Sequence, residues 1–292
     1  MYPDWRIIAD SVTGSSHIRK DRPNQDNGGW YAGSGYPLIG AVSDGHGGRD
    51  YPRSDRGSAL GVHAALRVLS VYSQDPSVIH SAGMEKICRE IVDEWRREVR
   101  ADIRMFPYEP GEREIITEGR QGQNAPLDPD YELIRPYGST LLAVVITGEE
   151  TVFFQLGDGD IIVHAPDGSF FLPIAPDNTL SGNETYSLCT DESWRDFRIA
   201  RLDYVPDFIM LSTDGYANSF LDEEGFVTAA RDLYSYIYQA ANFEAGVRAV
   251  GSNLRDWLDT TSRKGSGDDI TLLILARDPC PVGSQYQDVS PG

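Results

Sequence analysis

Four aspartates in this chain share one setting. Asp44 lies in Ser43-Asp44-Gly45-His46-Gly47-Gly48, Asp158 in Leu156-Gly157-Asp158-Gly159, Asp214 in Ser212-Thr213-Asp214-Gly215 and Asp268 in Gly265-Ser266-Gly267-Asp268-Asp269. Each stands beside glycine at the edge of a short apolar run, which reads as a strand end running into a tight turn. Asp26, in Asn24-Gln25-Asp26, is a fifth candidate. Taken singly, each reads as a turn residue whose carboxylate bonds its own backbone. If the strand ends share one edge of the sheets, the carboxylates converge, and convergence needs a cation. Two carboxylates about 4 Å apart repel by roughly 4 kcal/mol at an effective dielectric near 20, and without a counter-ion some stay protonated at neutral pH. Oxygen-only donors, with no cysteine or second histidine close by in sequence, suit Mg2+ or Mn2+ rather than zinc. Two such ions, about 3.5–4 Å apart, could hold a hydroxide for in-line attack on phosphorus. Breaking a phosphoseryl ester also expels an alkoxide, which benefits from a general acid. His46, two residues from Asp44, is placed for that task; its other reading is a structural imidazole.

Other chemistries find no support. There is no Walker A run, dinucleotide fingerprint, G-x-S-x-G elbow, H-E-x-x-H or EF-hand loop. His17, His63, His80 and His164 lack ligand-like partners and read as structural or exposed. Cys88, Cys189 and Cys280 form no C-x-x-C pair, which excludes a zinc or disulfide framework and fits a reducing compartment. The formal charge of −19 over 292 residues argues against a nucleic-acid or anionic-membrane surface. The opening Met-Tyr-Pro-Asp-Trp-Arg has no signal-peptide pattern, and the apolar run Leu141 to Ile146 is far too short to span a bilayer. The expectation is a soluble, cytoplasmic protein.

The elements that must position these residues read as follows. Trp5 to Val12 is a strand, Thr13 to Gly29 a polar loop, and Tyr36 to Ser43 a second strand entering the Asp44 turn. Ala59, Val62, Leu66 and Leu69, then Met84, Ile87, Ile91, Trp95 and Val99, recur at helical spacing. Between Met105 and Pro136 periodicity gives way to Pro, Gly, Glu and Gln, an insertion whose role the residues do not reveal. Ser139–Thr147, Thr151–Leu156, Asp160–His164 and Ser169–Ile174 read as one antiparallel meander. Trp194–Leu202 and Phe208–Ser212 are strands, two further helices follow over about 223–236 and 243–257, and Thr271–Ala276 closes the series. Helices arriving in pairs favour antiparallel sheets with helical layers over a doubly wound parallel sheet. One domain over 1–277, with a loose tail at 278–292, accommodates all of this.

With these residues in place, the chain resembles the bacterial branch of the metal-dependent protein phosphatase 2C family. The matching pieces, in the family's order, are Asn24-Gln25-Asp26, Asp44-Gly45-His46-Gly47-Gly48, Gly138-Ser139-Thr140, Gly157-Asp158-Gly159, Thr213-Asp214-Gly215 and Gly267-Asp268-Asp269-Ile270-Thr271. The resemblance implies an α+β fold, a four-layer αββα sandwich of two antiparallel sheets flanked by helix pairs. It implies two Mn2+ or Mg2+ ions bridged by Asp44. The Gly45 carbonyl would join one ion, and Asp214 and Asp268 would complete the shell of the other. Asp26 would act through metal-bound water, Asp158 would belong to a third, weaker metal site, and His46 would be the general acid. Three departures stand out: Gln25 where many relatives carry glutamate, Asp21 at the position of the usual phosphate-binding arginine, and Asn218 where many carry aspartate. Arg22 or Lys20 is left to bind phosphate. The segment from Ala175 to Trp194 corresponds to the family's flap, and with residues 105–136 it is the expected seat of substrate selection.

The expected activity is hydrolysis of phosphoserine or phosphothreonine in proteins, opposing a cognate serine/threonine kinase in bacterial signalling, with neither nucleic acid nor membrane as partner. A non-catalytic binding module of the same fold and a hydrolase of small phosphoesters are the alternatives. Relative activity on phosphopeptides, nucleotides and an aryl phosphate separates them.

Overall fold

The computed structural model describes residues 5–32, 36–73, 83–118, 129–176 and 185–279. His80, Cys280, the centre of the 105–136 insertion, residues 177–184 of the flap-like segment and the C-terminal tail from 280 lie outside the described residues. Ten strands form two five-stranded antiparallel sheets. One is ordered β1 (Trp5–Val12), β10 (Ile270–Arg277), β9 (Phe208–Ser212), β6 (Asp160–His164) and β7 (Phe170–Phe171). The other is ordered β2 (Asn27–Ala32), β3 (Leu38–Ser43), β4 (Leu141–Ile146), β5 (Thr151–Leu156) and β8 (Arg198–Leu202).

Strands β3, β4 and β5 are buried throughout, as their continuous apolar runs require. Their alternate residues serve two different cores. Leu38, Val42, Leu142, Val144 and Phe153 meet Ile161, Ile209, Leu211, Leu273 and Leu275 of the opposing sheet, while Ile39, Ala41, Leu141, Ala143 and Phe154 face outward. That outward face is covered by α2 (Ser54–Tyr72) and α3 (Met84–Met105), through Ala65, Leu69, Ile87, Ile91 and Trp95. On the other sheet, α7 (Glu223–Tyr238) and α8 (Phe243–Lys264) supply Phe226, Leu233, Val250 and Leu254. The four-layer αββα order follows directly from these three cores.

Two sequence expectations need correction. Asn27–Ala32 pairs with β3 as an edge strand, where a polar loop running to Gly29 was expected; its Gly28-Gly29 pair has no propensity for strand, and pairing with a buried neighbour overrides that. The expected meander is broken as well. β5 pairs with β4 and β8, whereas β6 pairs with β7 and β9. The chain therefore changes sheets at Gly157-Asp158-Gly159, and Gly157 makes the crossing at φ +103°.

The insertion after α3 holds two helices, α4 (Pro110–Glu118) and α5 (Pro129–Ile134), and a 3₁₀ turn at Arg135–Tyr137. It is strapped to the segment following the Asp44 turn. Buried Arg53 makes 2.7 Å bonds to both Glu112 carboxylate oxygens, donates to the Phe106 and Pro107 carbonyls and to the Tyr137 hydroxyl, and lies over the Tyr108 ring. Arg135 pairs with Asp50, and Arg49 with Glu118. A bidentate, desolvated arginine of this kind fixes geometry more firmly than a surface pair.

Candidate active site

The register places the loop-bearing strand ends at one edge. Asn27 faces Ser43, Ser212 faces both Asp160 and Leu272, and Val12 faces Ile270. Asp26, Asp44, Asp158, Asp214 and Asp268 all lie within two residues of those ends. Asp44 follows β3, Asp158 sits in the sheet crossing, Asp214 opens the short helix α6 (Asp214–Ala217) after β9, and Asp268 precedes β10.

Backbone bonds hold the Asp44 turn from both sides. Asp44 N–H donates to Thr140 Oγ1 at 3.0 Å, and Thr140 N–H donates to the Asp44 carbonyl at 2.8 Å. Gly45 N–H reaches the Gln25 carbonyl and His46 N–H the Gly138 carbonyl, each at 3.1 Å. The need for glycine here is one of space. A Cβ on Gly45 would lie 2.5 Å from the Ser54 carbonyl oxygen and 2.6 Å from that of Gln25. None of Gly45, Gly47 and Gly48 adopts a positive φ. His46 packs edge-on against Tyr51, ring centroids 4.8 Å apart.

Asp44, Gly45, His46, Asp158, Asp214 and Asp268 line one cleft of about 1080 Å³. Asp26 lies behind it, 4% exposed, its Oδ2 accepting from Thr213 Oγ1 at 2.6 Å. Burial lifts the Asp44 carboxyl well above the usual range, and Asp26, Asp214 and Asp158 add to the shift. Asp26 is raised likewise, by burial and then by Asp269, Asp214 and Asp268, against the Thr213 bond. Burial brings Asp214 to about 6 and Asp160 to about 7. Asp214 bears on Asp44 both as a like charge and through a side-chain interaction, each favouring the protonated Asp44 carboxyl. Among the described residues no three His, Cys, Asp or Glu side chains stand in ligating geometry. What the cleft does offer is an all-oxygen, mutually repelling donor set, and a hard divalent cation fits that chemistry. Burial also depresses His46, to about 4.

A second tier of residues holds the first. Asp269, 3% exposed, accepts from Gly14 N–H at 2.6 Å, Gln25 N–H at 2.7 Å and His17 Nδ1 at 2.9 Å, tying three loop segments together. His17, on α1 (Ser15–Arg19), is raised above its ordinary value chiefly by that bond to Asp269. Its Nε2 lies 3.6 Å from Asp268 Oδ1, so it is a buried structural histidine whose ring also lines the cleft. Sequence reading passed over Asp269 because its neighbour Asp268 absorbed the motif, and over His17 because its partner is 252 residues away. At Gln25, the amide Nε2 donates to Ser54 Oγ at 2.5 Å and to the His46 carbonyl at 3.3 Å. Gln25→Glu would replace that donor with a buried charge, leaving the His46 carbonyl unpaired. The expected loss is about 2–3 kcal/mol, read as a fall of roughly 4–10 °C in melting temperature in chelator. An unchanged melt would show that the amide constrains nothing.

Asn218 donates to Asp214 Oδ2 at 3.0 Å. Of the two phosphate-binding candidates, Arg22 is exposed and donates to the Gly47 carbonyl at 2.5 Å, beside the Asp44 turn. Lys20 is exposed at the end of α1. Neither lines the cleft; the sole arginine or lysine among its described lining residues is Arg198 of β8. Arg198 Nη1 donates to the Ala175 carbonyl at 2.6 Å and Nη2 to the Gly157 carbonyl at 3.1 Å. Nothing in the sequence marked it, because β8 looks like any edge strand.

The family model for protein phosphatase 2C matches residues 13–259. The chain belongs to the protein phosphatase 2C family. No curated protein matches it in sequence. Among solved structures it is similar to the catalytic domain of the serine/threonine phosphatase PstP in complex with 2 manganese ions (15% identity, 94% of this chain and 99% of that one, TM-score 0.53). PppA, described as a key regulatory component of T6SS in Pseudomonas aeruginosa, gives 19% identity over 94% and 97%, TM-score 0.56. The S. agalactiae serine/threonine phosphatase gives 14% over 93% and 99%, TM-score 0.56. These likenesses share the fold, two antiparallel sheets between helical layers. No helix among the described residues is long and apolar enough to cross a membrane.

Proposed function

We propose that this phosphatase 2C member hydrolyses phosphoserine and phosphothreonine in proteins, with Mn2+ or Mg2+ as cofactor. The observation that carries the reading is the convergence of Asp44, Asp214, Asp158 and Asp268, with His46, on one cleft. Asp44, Asp158 and Asp214, with Asp26 behind them, form a like-charged set whose raised affinities for protons mark an unmet need for positive charge. Asp44, the Gly45 carbonyl, Asp214 and Asp268 would hold two ions, and Asp158 a third. Bound there, divalent ions supply Lewis-acid activation of water and neutralise phosphoryl charge. The chain's own residues do the rest. Asp26, fixed by Thr213, orients water from behind the cleft. Arg22, which bonds to the Gly47 carbonyl beside the Asp44 turn, or Lys20, two residues before it, would turn from outside the cleft to meet the phosphoryl oxygens. His46 gives a proton to the seryl or threonyl oxygen as its bond to phosphorus breaks.

The test is hydrolysis of a phosphothreonine peptide and of an aryl phosphate with manganese, with magnesium and in chelator. Turnover of both that requires the cation and stops in chelator is the expected result. A folded protein that binds manganese and turns over neither substrate would be the non-catalytic module, and turnover of nucleotides alone would make it a small-phosphoester hydrolase.

A further inference from the structure

A second cavity, of about 340 Å³, opens off the cleft. The two share Asp160, Pro176 and Asn218 in their walls, so the smaller is a side groove of the larger. Its size falls in the range of side-chain and ligand pockets, about 300–1000 Å³. Leu172 after β7 and Phe220 and Phe226 around the start of α7 give it an apolar wall. Phe220 and Phe226 are set by packing on Tyr216 and on each other, centroids 5.2–6.1 Å apart, which makes that wall rigid. Leu221 at its lip is fully exposed.

The rim carries one sign of charge. Asp160, Asp222 and Glu223 line the groove, and no lysine or arginine is among its described lining residues. None of the three forms an ion pair with a described residue, and Arg198 faces Asp160 from the side of the main cleft. Asp222 Oδ1 accepts from Gly225 N–H at 2.9 Å as the N-cap of α7, and Asp222 and the exposed Glu223 supply the rim's negative charge, while the half-buried Asp160 stands where the groove meets the main cleft. An apolar wall beside an acidic rim suits a side chain with a methylene stem and a cationic head. The chain's charge of −19 draws basic segments toward it and repels acidic ones.

We infer that this side groove is a substrate subsite that takes an arginine or lysine side chain next to the phosphorylated residue, so that the preferred substrates are phosphoproteins with basic flanks. The inference rests on the reading of the main cleft as a phosphoprotein site. It commits to a side chain of the bound substrate as occupant, because the groove is continuous with that cleft and its charge is complementary to a cation.

The test is fluorescence anisotropy with labelled phosphothreonine peptides bearing arginine, glutamine or glutamate within three residues on either side of the phosphate. It uses the manganese-loaded full chain as wild type, Glu223→Lys and Leu221→Ser; both positions are exposed and outside the proposed catalytic set. Wild type should bind the best arginine peptide about tenfold more tightly than its glutamate counterpart, equivalent to about 1.4 kcal/mol. Glu223→Lys should bring the two within about threefold, and Leu221→Ser should weaken arginine and glutamine peptides together, while aryl phosphate turnover stays within about twofold. Equal binding of arginine and glutamate peptides by wild type overturns the subsite, as does a preference that survives Glu223→Lys. Binding is read apart from hydrolysis. Selective binding without turnover of any phosphoester would keep the groove and sink the catalytic reading; turnover without selectivity would do the reverse.

Discussion

Asp44→Asn is expected to abolish cation-dependent hydrolysis and, in the same protein, to raise the melting temperature measured in chelator. The two effects share one cause. Asp44 is partly buried within the carboxylate set, and the like charges of Asp26, Asp214 and Asp158 act on it. A cation held there depends on its negative charge, so activity should fall by about three orders of magnitude or more, the scale on which catalysts lose a principal electrostatic group. Without the cation that charge is a liability. Asparagine keeps the shape and removes the charge that Asp26, Asp158 and Asp214 oppose. With about 1.4 kcal/mol per unit of pKa displacement, relief of about 1–3 kcal/mol near pH 8 translates into a rise of roughly 2–10 °C. The sign follows from linkage. An acid whose pKa is raised on folding keeps, in the native state, a proton that the unfolded chain has released. Its contribution is therefore favourable below the unfolded value near 4 and is lost as pH climbs through the folded value, about 6 for Asp214 and about 7 for Asp160. His46, depressed to about 4, acts oppositely but only between about 4 and 6.5. The metal-free wild type should lose melting temperature from pH 6 to pH 8, saturating manganese should flatten that slope, and Asp44→Asn should reduce it. A variant that melts lower than wild type in chelator, or that keeps its activity, would remove Asp44 from the centre of the site.

How much of this was legible without coordinates depended on distance along the chain. The aspartate turns could be read because each carries its own signal, an apolar run broken by glycine. The layer order could be read because paired amphipathic helices leave antiparallel sheets few arrangements. What escaped was whatever depends on a partner far away. β2 becomes a strand only because Gly28 and Gly29 lie beside Val42 and Ala41. The sheet change at Gly157 looks like a hairpin turn until β6 is seen on β9. Asp269 and His17 join segments about 250 residues apart. The insertion looked structureless because its order is borrowed: Glu112 is held by Arg53, from the segment that follows His46. That strap links any movement of residues 105–118 to the Asp44 turn through Arg49 and Arg53, and of Arg135 through Asp50.

His46→Asn should separate the two classes of substrate. An aryl phosphate expels a stabilised phenolate and needs little help from an acid, whereas a phosphothreonine ester expels an alkoxide that must gain a proton as the bond breaks. The expected loss is about 10²–10³ on the peptide and less than about tenfold on the aryl ester. The environment of His46 sharpens this. Burial, with no carboxylate partner to offset it, depresses its pKa to about 4, so in the free protein the imidazole is neutral near pH 7. The acid form must be drawn out by the phosphoryl group itself, whose negative charge beside the ring favours the imidazolium. Its supply from the free enzyme therefore falls about tenfold for each pH unit above the pKa. Cation loading moves the other way, improving as the carboxylates release protons, and it affects both substrates alike. The ratio of peptide to aryl kcat/KM cancels that common part. In wild type the ratio should fall as pH rises from 6 to 9, and in His46→Asn it should be low and independent of pH. A wild-type ratio that does not change with pH, or equal losses on both substrates in the variant, would make His46 a structural imidazole packed on Tyr51 and leave the leaving oxygen to take its proton from water.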